Sequence, residues 1–298
     1  MFVERGDLRL YVESVGSGEP LIALHGFTGS AADWRPLRPR LDAGLRVITI
    51  DLIGHGRSDA PAEVERYGLM RCVDDLVGVM DVLGIERAHW LGYSMGGRVA
   101  LALALSHPQR ISRLILESAS PGLAEASARR ERRAADAALA RSIDADGIEA
   151  FVDRWMAQPL FASQARLSAP ARAAARAARI KQRPLGLANS LRGMGTGSQP
   201  SFWEQLPQLE PETLLISGGL DTKFCAIAAA IAARAARARV AVIADAGHAA
   251  HLEEPERFAG HVNAFLARAS GLGRGNGIGG KGDKRDRMDV GDIGTRGG

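Results

Sequence analysis

Ala88-His89-Trp90-Leu91-Gly92-Tyr93-Ser94-Met95-Gly96-Gly97-Arg98-Val99-Ala100-Leu101 passes from an apolar run, through a serine between glycines, into a helical pattern. Strand, Gly-x-Ser-x-Gly and helix in that order are the setting of a nucleophile elbow. To lift Ser94 Oγ above the edge of a sheet the turn must be sharp, and Gly92 and Gly96 remove the side chains that would clash. The helix begins at the serine, so its first amides and the positive end of its dipole face any anion that forms there. The pentapeptide is a common pattern, and its weight comes from the rest of the chain.

At 298 residues and 46% hydrophobic content the chain can bury one large core or two modest ones. Alternating strand-like and helix-like runs favour a single α/β domain with an inserted piece. Residues Met1 to Asp7 carry charges where a signal peptide would be apolar, and no run approaches the roughly 18 apolar residues of a spanning helix. A soluble, cytoplasmic protein is expected, with no membrane span. Cys72 and Cys225 are far apart in helical stretches and read as free buried thiols. No metal-ligand spacing joins them to the histidines, and no cofactor is expected. Half of the formal charge of +4 lies beyond Ser270, where six basic residues meet four acidic ones. With only 5% aromatic residues and scattered arginines, a nucleic-acid partner is not expected.

Upstream of the elbow, Leu8 to Val15 alternates as a half-exposed strand and ends in Gly16-Ser17-Gly18. Leu21-Ile22-Ala23-Leu24 is continuously apolar, as a parallel strand covered on both faces should be. It leads into His25-Gly26-Phe27-Thr28-Gly29, which resembles the His-Gly loop of α/β-hydrolases. In that family one backbone N–H of this loop completes an oxyanion hole with the residue after the nucleophile; here these would be Phe27 and Met95. Arg46 to Asp51 is the next strand, closed by Leu52-Ile53-Gly54-His55-Gly56-Arg57-Ser58, which is also similar to the family. Asp51 and His55 are read as turn-fixing groups, and His25, too early in the chain for the base, as a loop-shaping one. A helix follows from Tyr67 to Leu83, with Val73, Leu76, Val77, Met80 and Leu83 on one face and Gly84 placed to stop it.

Ile111 to Leu116 supplies another strand, and at Glu117 the alternation breaks. From Ser118 to about Pro211 the chain offers Ala/Arg-rich helical stretches: Glu125 to Leu139, Gly147 to Met156, Ala169 to Ile180 and Gly186 to Leu191. Inserted here, they would stand over Ser94 as a cap. Thr213 to Ser217 resumes the sheet, Val240 to Ile243 adds its last strand, and Glu254 to Ala269 closes the fold. The expected class is therefore α/β, with a mostly parallel central sheet flanked by helices. Residues 1–117 and 212–269 would form the α/β-hydrolase core and 118–211 the helical cap insertion. The Gly-rich charged tail, 270–298, is expected to be disordered.

A serine hydroxyl is a poor base or nucleophile until a group with a pKa near neutrality takes its proton. His248 follows the last predicted strand and Asp221 the one before it, so both reach the sheet edge of Ser94 in the order Ser, Asp, His. Asp221 would orient the imidazole and stabilise its protonated form. Asp245, three residues before His248, is read as a turn residue, and His251 as a supporting or surface group. Arg98 lies one helical turn after Ser94, where a buried cation looks for an anion. Arg132 and Arg179 lie in the cap stretches; spacing alone reads them as solvated helix charges, although guanidinium groups converging on one pocket would bind several carboxylates.

A closer resemblance rests on His25 to Gly29, Gly92 to Arg98, Pro121-Gly122-Leu123 with Glu131-Arg132, Trp155 with Pro159 to Ser163, Gly186 to Gly197, Asp221 to Phe224 and Ala246 to His251. Together these resemble the 2-succinyl-6-hydroxy-2,4-cyclohexadiene-1-carboxylate synthases of menaquinone biosynthesis, over nearly everything before Ser270. The resemblance implies a carbon–oxygen lyase that eliminates pyruvate from a succinyl-enolpyruvyl-cyclohexene carboxylate, a small polycarboxylate. It implies Ser94, Asp221 and His248 as the catalytic triad and Phe27 and Met95 as the oxyanion hole. Arg98, Arg132 and Arg179 would take carboxylates, with Tyr93, Trp155 and Lys223 around the substrate. The tail departs from the family's usual end and touches none of these. The elbow and triad alone would also suit a carboxylesterase or C–C bond hydrolase, and a noncatalytic ligand-binding member of the fold is the alternative of another kind.

Overall fold

A computed structural model describes residues 1–267. Its sheet has eight strands: β1 Phe2–Arg5, β2 Leu8–Val15, β3 Glu19–Leu24, β4 Leu45–Ile50, β5 Ala88–Tyr93, β6 Ile111–Glu117, β7 Thr213–Gly218 and β8 Ala238–Ile243. They lie in the order β1-β2-β4-β3-β5-β6-β7-β8. The hairpin β1–β2 and the pair β2–β4 are antiparallel, and every other pairing is parallel. The central strands β6 and β7 are almost wholly buried, in keeping with their unbroken apolar runs, whereas β2 alternates buried and exposed positions near one edge. Register aligns Leu24 with Gly92, Tyr93 with Glu117, Glu117 with Ile216 and Gly218 with Ile243. The loops leaving β3, β5, β6, β7 and β8 therefore emerge along one edge, where open parallel sheets place their ligands.

Helices α1 (Leu69–Val82) and α2 (Met95–Ser106) cover one face. Their buried residues Val73, Leu76, Val99 and Leu103 pack with Ile22, Ile48 and Trp90 of the sheet. The other face is closed by Trp34, Leu37 and the helix α8 (Pro255–Ala267), through Phe258, Val262 and Phe265. Helix α6 (Thr222–Ala232) follows β7, and the short α7 (Ala250–Glu253) follows β8. Between β6 and β7 lies the helical cap: α3 (Ala126–Met156), a 3-10 segment Pro159–Arg166, α4 (Ala169–Ile180) and α5 (Pro184–Met194). It has a small apolar cluster of its own, centred on Phe151, Val152, Ile143 and Leu187. Asn189 of α5 fastens it to the core by donating to the carbonyl of Ala62 at 3.0 Å.

Three local details extend or correct the sequence reading. Residues Phe2–Arg5 form a strand despite Glu4 and Arg5, because the antiparallel partner β2 supplies the ladder that four residues could not specify alone. The stretches read as Glu125 to Leu139 and Gly147 to Met156 are two helical pieces of α3 that meet at Gly147, whose φ of 79° and ψ of 171° are non-helical; the first piece runs on past Leu139 to this break. Cys72 is buried as expected, but Cys225 is only partly so; both are free. Part of the expected closing helix and all of the tail at 270–298 lie outside the described residues. Among the described residues no helix is long and apolar enough to cross a membrane.

The segment after β3 is tied to β2 by charge. Glu13 accepts from Arg35 Nη2 at 2.6 Å and from Arg38 Nη2 at 2.7 Å, and the same Arg38 nitrogen also donates to Thr49 Oγ1. Hydrogen bonding from Arg35, helped by Arg38 and opposed by burial, lowers the Glu13 carboxyl from 4.5 to about 2. A depressed carboxylate stabilises the fold above its unfolded value and loses that contribution as pH falls through its folded one. The stability difference between the native chain and Glu13→Gln should accordingly be full above about pH 5 and decline to a constant remainder near pH 2, as measured by denaturant unfolding across that range.

Candidate active site

Ser94 stands between β5 and α2 with φ 49° and ψ −105°, a conformation that a non-glycine residue holds only when its surroundings enforce it. Two glycines let the chain turn this sharply. A Cβ on Gly92 would come within 2.5 Å of the Gly96 carbonyl oxygen, and one on Gly96 within 2.4 Å of that of Leu24. The Ser94 N–H donates to the Glu117 carbonyl at 2.8 Å, pinning the elbow to β6. His248 arrives from the loop after β8 and Asp221 from the end of β7. His248 Nε2 lies 3.1 Å from Ser94 Oγ, and its Nδ1 lies 2.7 Å from Asp221 Oδ2. The other Asp221 oxygen caps α6 by accepting from Phe224 N–H at 3.2 Å. Held by a carboxylate at Nδ1, the imidazole presents Nε2 as the acceptor for the serine proton. Asp245 instead pairs with Arg257 on the surface.

The loop after β3 takes its shape from groups that do not react. His25 is fully buried; its Nδ1–H donates to the Gly26 carbonyl at 2.8 Å while Nε2 accepts from Leu52 N–H at 3.0 Å, so the partners specify a neutral ring. Burial holds His25 down to about 4, and burial together with neighbouring His25 holds His55 down to about 3. Asp51 ties the next turn by accepting from Ala31 N–H at 2.6 Å and Arg57 N–H at 2.8 Å. The Phe27 ring packs edge-on against His55 and Trp155. Phe27 and Met95, whose amides were expected to face an oxyanion, both border the cavity at Ser94.

That cavity also carries charge. Arg98 and Arg132 lie on its wall with Lys223, Tyr93 and Trp155. The buried Arg98 donates Nη1 to the Met194 carbonyl at 2.8 Å and to Gln199 Oε1 at 2.7 Å. Loss of hydration, with repulsion from Arg132, lowers it to about 10, so it remains a cation at neutral pH. Arg179 is not brought onto this wall. In the last turn of α4 its Nη1 donates to the Ala175 carbonyl of the same helix at 3.0 Å, and its charge acts on Asp33 and the Tyr93 phenol. Sequence reading gave no role to Phe161, Thr196 and Phe224, which also line the cavity, nor to the lobe beyond Arg98 and Arg132 lined by Ser118, Leu123, Trp203 and Ile227. It also missed that His251 is buried against Glu117, whose Oε1 accepts from both its backbone N–H and its Nδ1. Apolar residues one helical turn apart announce a core, but nothing in the order of residues announces a pairing across 134 positions.

A serine, an aspartate and a histidine, delivered by the carboxyl ends of the parallel strands β5, β7 and β8, define the α/β-hydrolase class, and the alpha/beta hydrolase fold family matches residues 19–255. A Bacillus subtilis (strain 168) protein provisionally named 2-succinyl-6-hydroxy-2,4-cyclohexadiene-1-carboxylate synthase is 44% identical over 85% of this chain and 92% of its own. The Serratia proteamaculans (strain 568) synthase of that name is 33% identical, over 83% and 92%. Among solved structures, MenH from S. aureus superposes with a TM-score of 0.84 at 33% identity, covering 87% of this chain and 98% of that one. Within the α/β-hydrolase class, the chain belongs to the 2-succinyl-6-hydroxy-2,4-cyclohexadiene-1-carboxylate synthase family.

Because burial keeps His25 and His55 neutral, neither should titrate between about pH 5 and pH 8 in a histidine NMR titration; a ring signal from either moving in that window would contradict the assignment of loop-shaping roles.

Proposed function

We propose that the protein is a carbon–oxygen lyase of menaquinone biosynthesis that eliminates pyruvate from 2-succinyl-5-enolpyruvyl-6-hydroxy-3-cyclohexene-1-carboxylate, leaving 2-succinyl-6-hydroxy-2,4-cyclohexadiene-1-carboxylate. The single observation that carries the residue roles is the joining, in one cavity, of a Ser94 hydroxyl already engaged by His248 with the cations Arg98, Arg132 and Lys223. A hydrolase of neutral esters has no use for such a wall, whereas a polycarboxylate does.

In this reading Ser94, relieved of its proton by His248, removes a ring proton α to a carbonyl. The C–H electron pair forms a ring double bond between C2 and C3, the existing C3–C4 double bond shifts to C4–C5, the C5–O bond to the enolpyruvyl group breaks, and the proton held on His248 goes to the departing group as it becomes pyruvate. Asp221 stabilises the imidazolium meanwhile. The amides of Phe27 and Met95 would carry the developing oxyanion, a contribution typically of about 3 to 4 kcal/mol per donor. Arg98 and Arg132 take the carboxylates from the positions they already occupy, with Tyr93, Trp155 and Lys223 around the ring; Arg179 would have to leave the last turn of α4 to join them. Water and a covalent acyl intermediate have no part. The absence of a disulfide between the free Cys72 and Cys225 suits a cytoplasmic setting.

Incubation with the enolpyruvyl tricarboxylate should release pyruvate in equal amount to the diene product, as followed by lactate dehydrogenase coupling. His248→Ala should lower kcat about 10²- to 10⁴-fold with the circular dichroism spectrum retained. Pyruvate at background levels, or turnover of simple esters at ordinary enzyme rates, would replace this reading by that of a hydrolase.

A further inference from the structure

Asp136 stands on α3 one turn beyond Arg132, is 3% exposed, and is not part of the cavity wall. A carboxylate this deep needs partners for both oxygens. Oδ1 accepts from Arg132 Nε at 2.7 Å, and Oδ2 accepts from Gly197 N–H at 3.2 Å. The bond to Arg132 uses the Nε corner of the guanidinium, which leaves its Nη1/Nη2 edge for a planar carboxylate.

The second oxygen reaches further. The loop carrying Gly197 lies so close to α3 that a Cβ on Gly195 would fall 2.6 Å from Asp136 Oδ2, and one on Gly197 2.2 Å from the Arg133 backbone nitrogen. This loop brings Thr196 to the cavity and ends at Gln199, whose Oε1 accepts from Arg98. One buried anion thus bonds one cation of the wall directly and holds the backbone that supports the other. Its negative charge also opposes the repulsion between Arg98 and Arg132.

We propose that Asp136 is a positioning residue for recognition of the substrate's carboxylates: it aims Arg132 and holds the Thr196 to Gln199 loop behind Arg98. This rests on the reading of the cavity as a polycarboxylate site. The test is a double-mutant cycle on the full chain, with pyruvate release as the assay and thermal unfolding beside it. Asp136→Asn, which keeps the shape and removes the charge, should raise KM about tenfold while kcat changes less than about threefold. Arg132→Ala should raise KM at least as much, and the double variant should be no worse than Arg132→Ala, because no guanidinium remains to be aimed and the amide oxygen left by Asp136→Asn still accepts from Gly197 N–H to hold the loop. Should Asp136→Asn fail to fold, the double variant, which buries no unpaired charge, is compared with Arg132→Ala alone and carries the same test. Losses that multiply, or a native KM in Asp136→Asn while Arg132→Ala is impaired, would overturn the positioning role alone. A native KM in Arg132→Ala, or no pyruvate from the unaltered enzyme, would overturn the reading of the cavity and this role with it.

Discussion

The hydrogen bond from Ser94 N–H to the Glu117 carbonyl holds the rest of the site in place. Ser94 sits at a positive φ that costs on the order of 1–3 kcal/mol, and it persists because β5 and β6 clamp the backbone on either side of it. Glu117 then acts a second time. Its side chain, fully buried, binds the backbone N–H and ring of His251, three residues beyond His248. One residue therefore secures Ser94 through its main chain and the loop bearing His248 through its carboxylate, which supports the 3.1 Å approach of Ser94 Oγ to His248 Nε2.

Electrostatics separates this pocket from a generic serine hydrolase. Arg98 is buried yet still a cation, its guanidinium donating to two acceptors while the nearby Asp136 opposes the repulsion from Arg132. A cation in that position is worth more to an arriving anion than one on the surface, since little solvent screens the pair. In the proposed elimination the same fields would act on charge that develops during reaction, so cations placed for carboxylates would also favour an enolate beside Ser94.

Much of this was legible in the sequence for definite reasons. The elbow is local: two glycines around a serine, with a strand before and a helix after, leave few other structures. Asp221 and His248 were placed by chain order alone, because successive parallel strands must end on one edge. The strand Phe2–Arg5 was not legible, being too short and too charged to declare itself without β2. Arg179 could not be placed from the sequence, because an arginine in an Ala/Arg helix has a carbonyl of its own helix within reach, and here its side chain bonds one while its charge acts on Tyr93 of the cavity wall. Asp136 and the His251–Glu117 pair are contacts made by packing, for which spacing has no signature.

The cap is fastened much more lightly than the sheet. Its private core is seven buried side chains, and α4 buries none of its own, whereas β7 is buried throughout. Local opening free energies follow such differences in buried contact, and α4 lies at the low end of that scale and β7 at the high end. The entrance to the cavity is therefore held by less buried contact on the cap side than is the frame that sets serine against histidine.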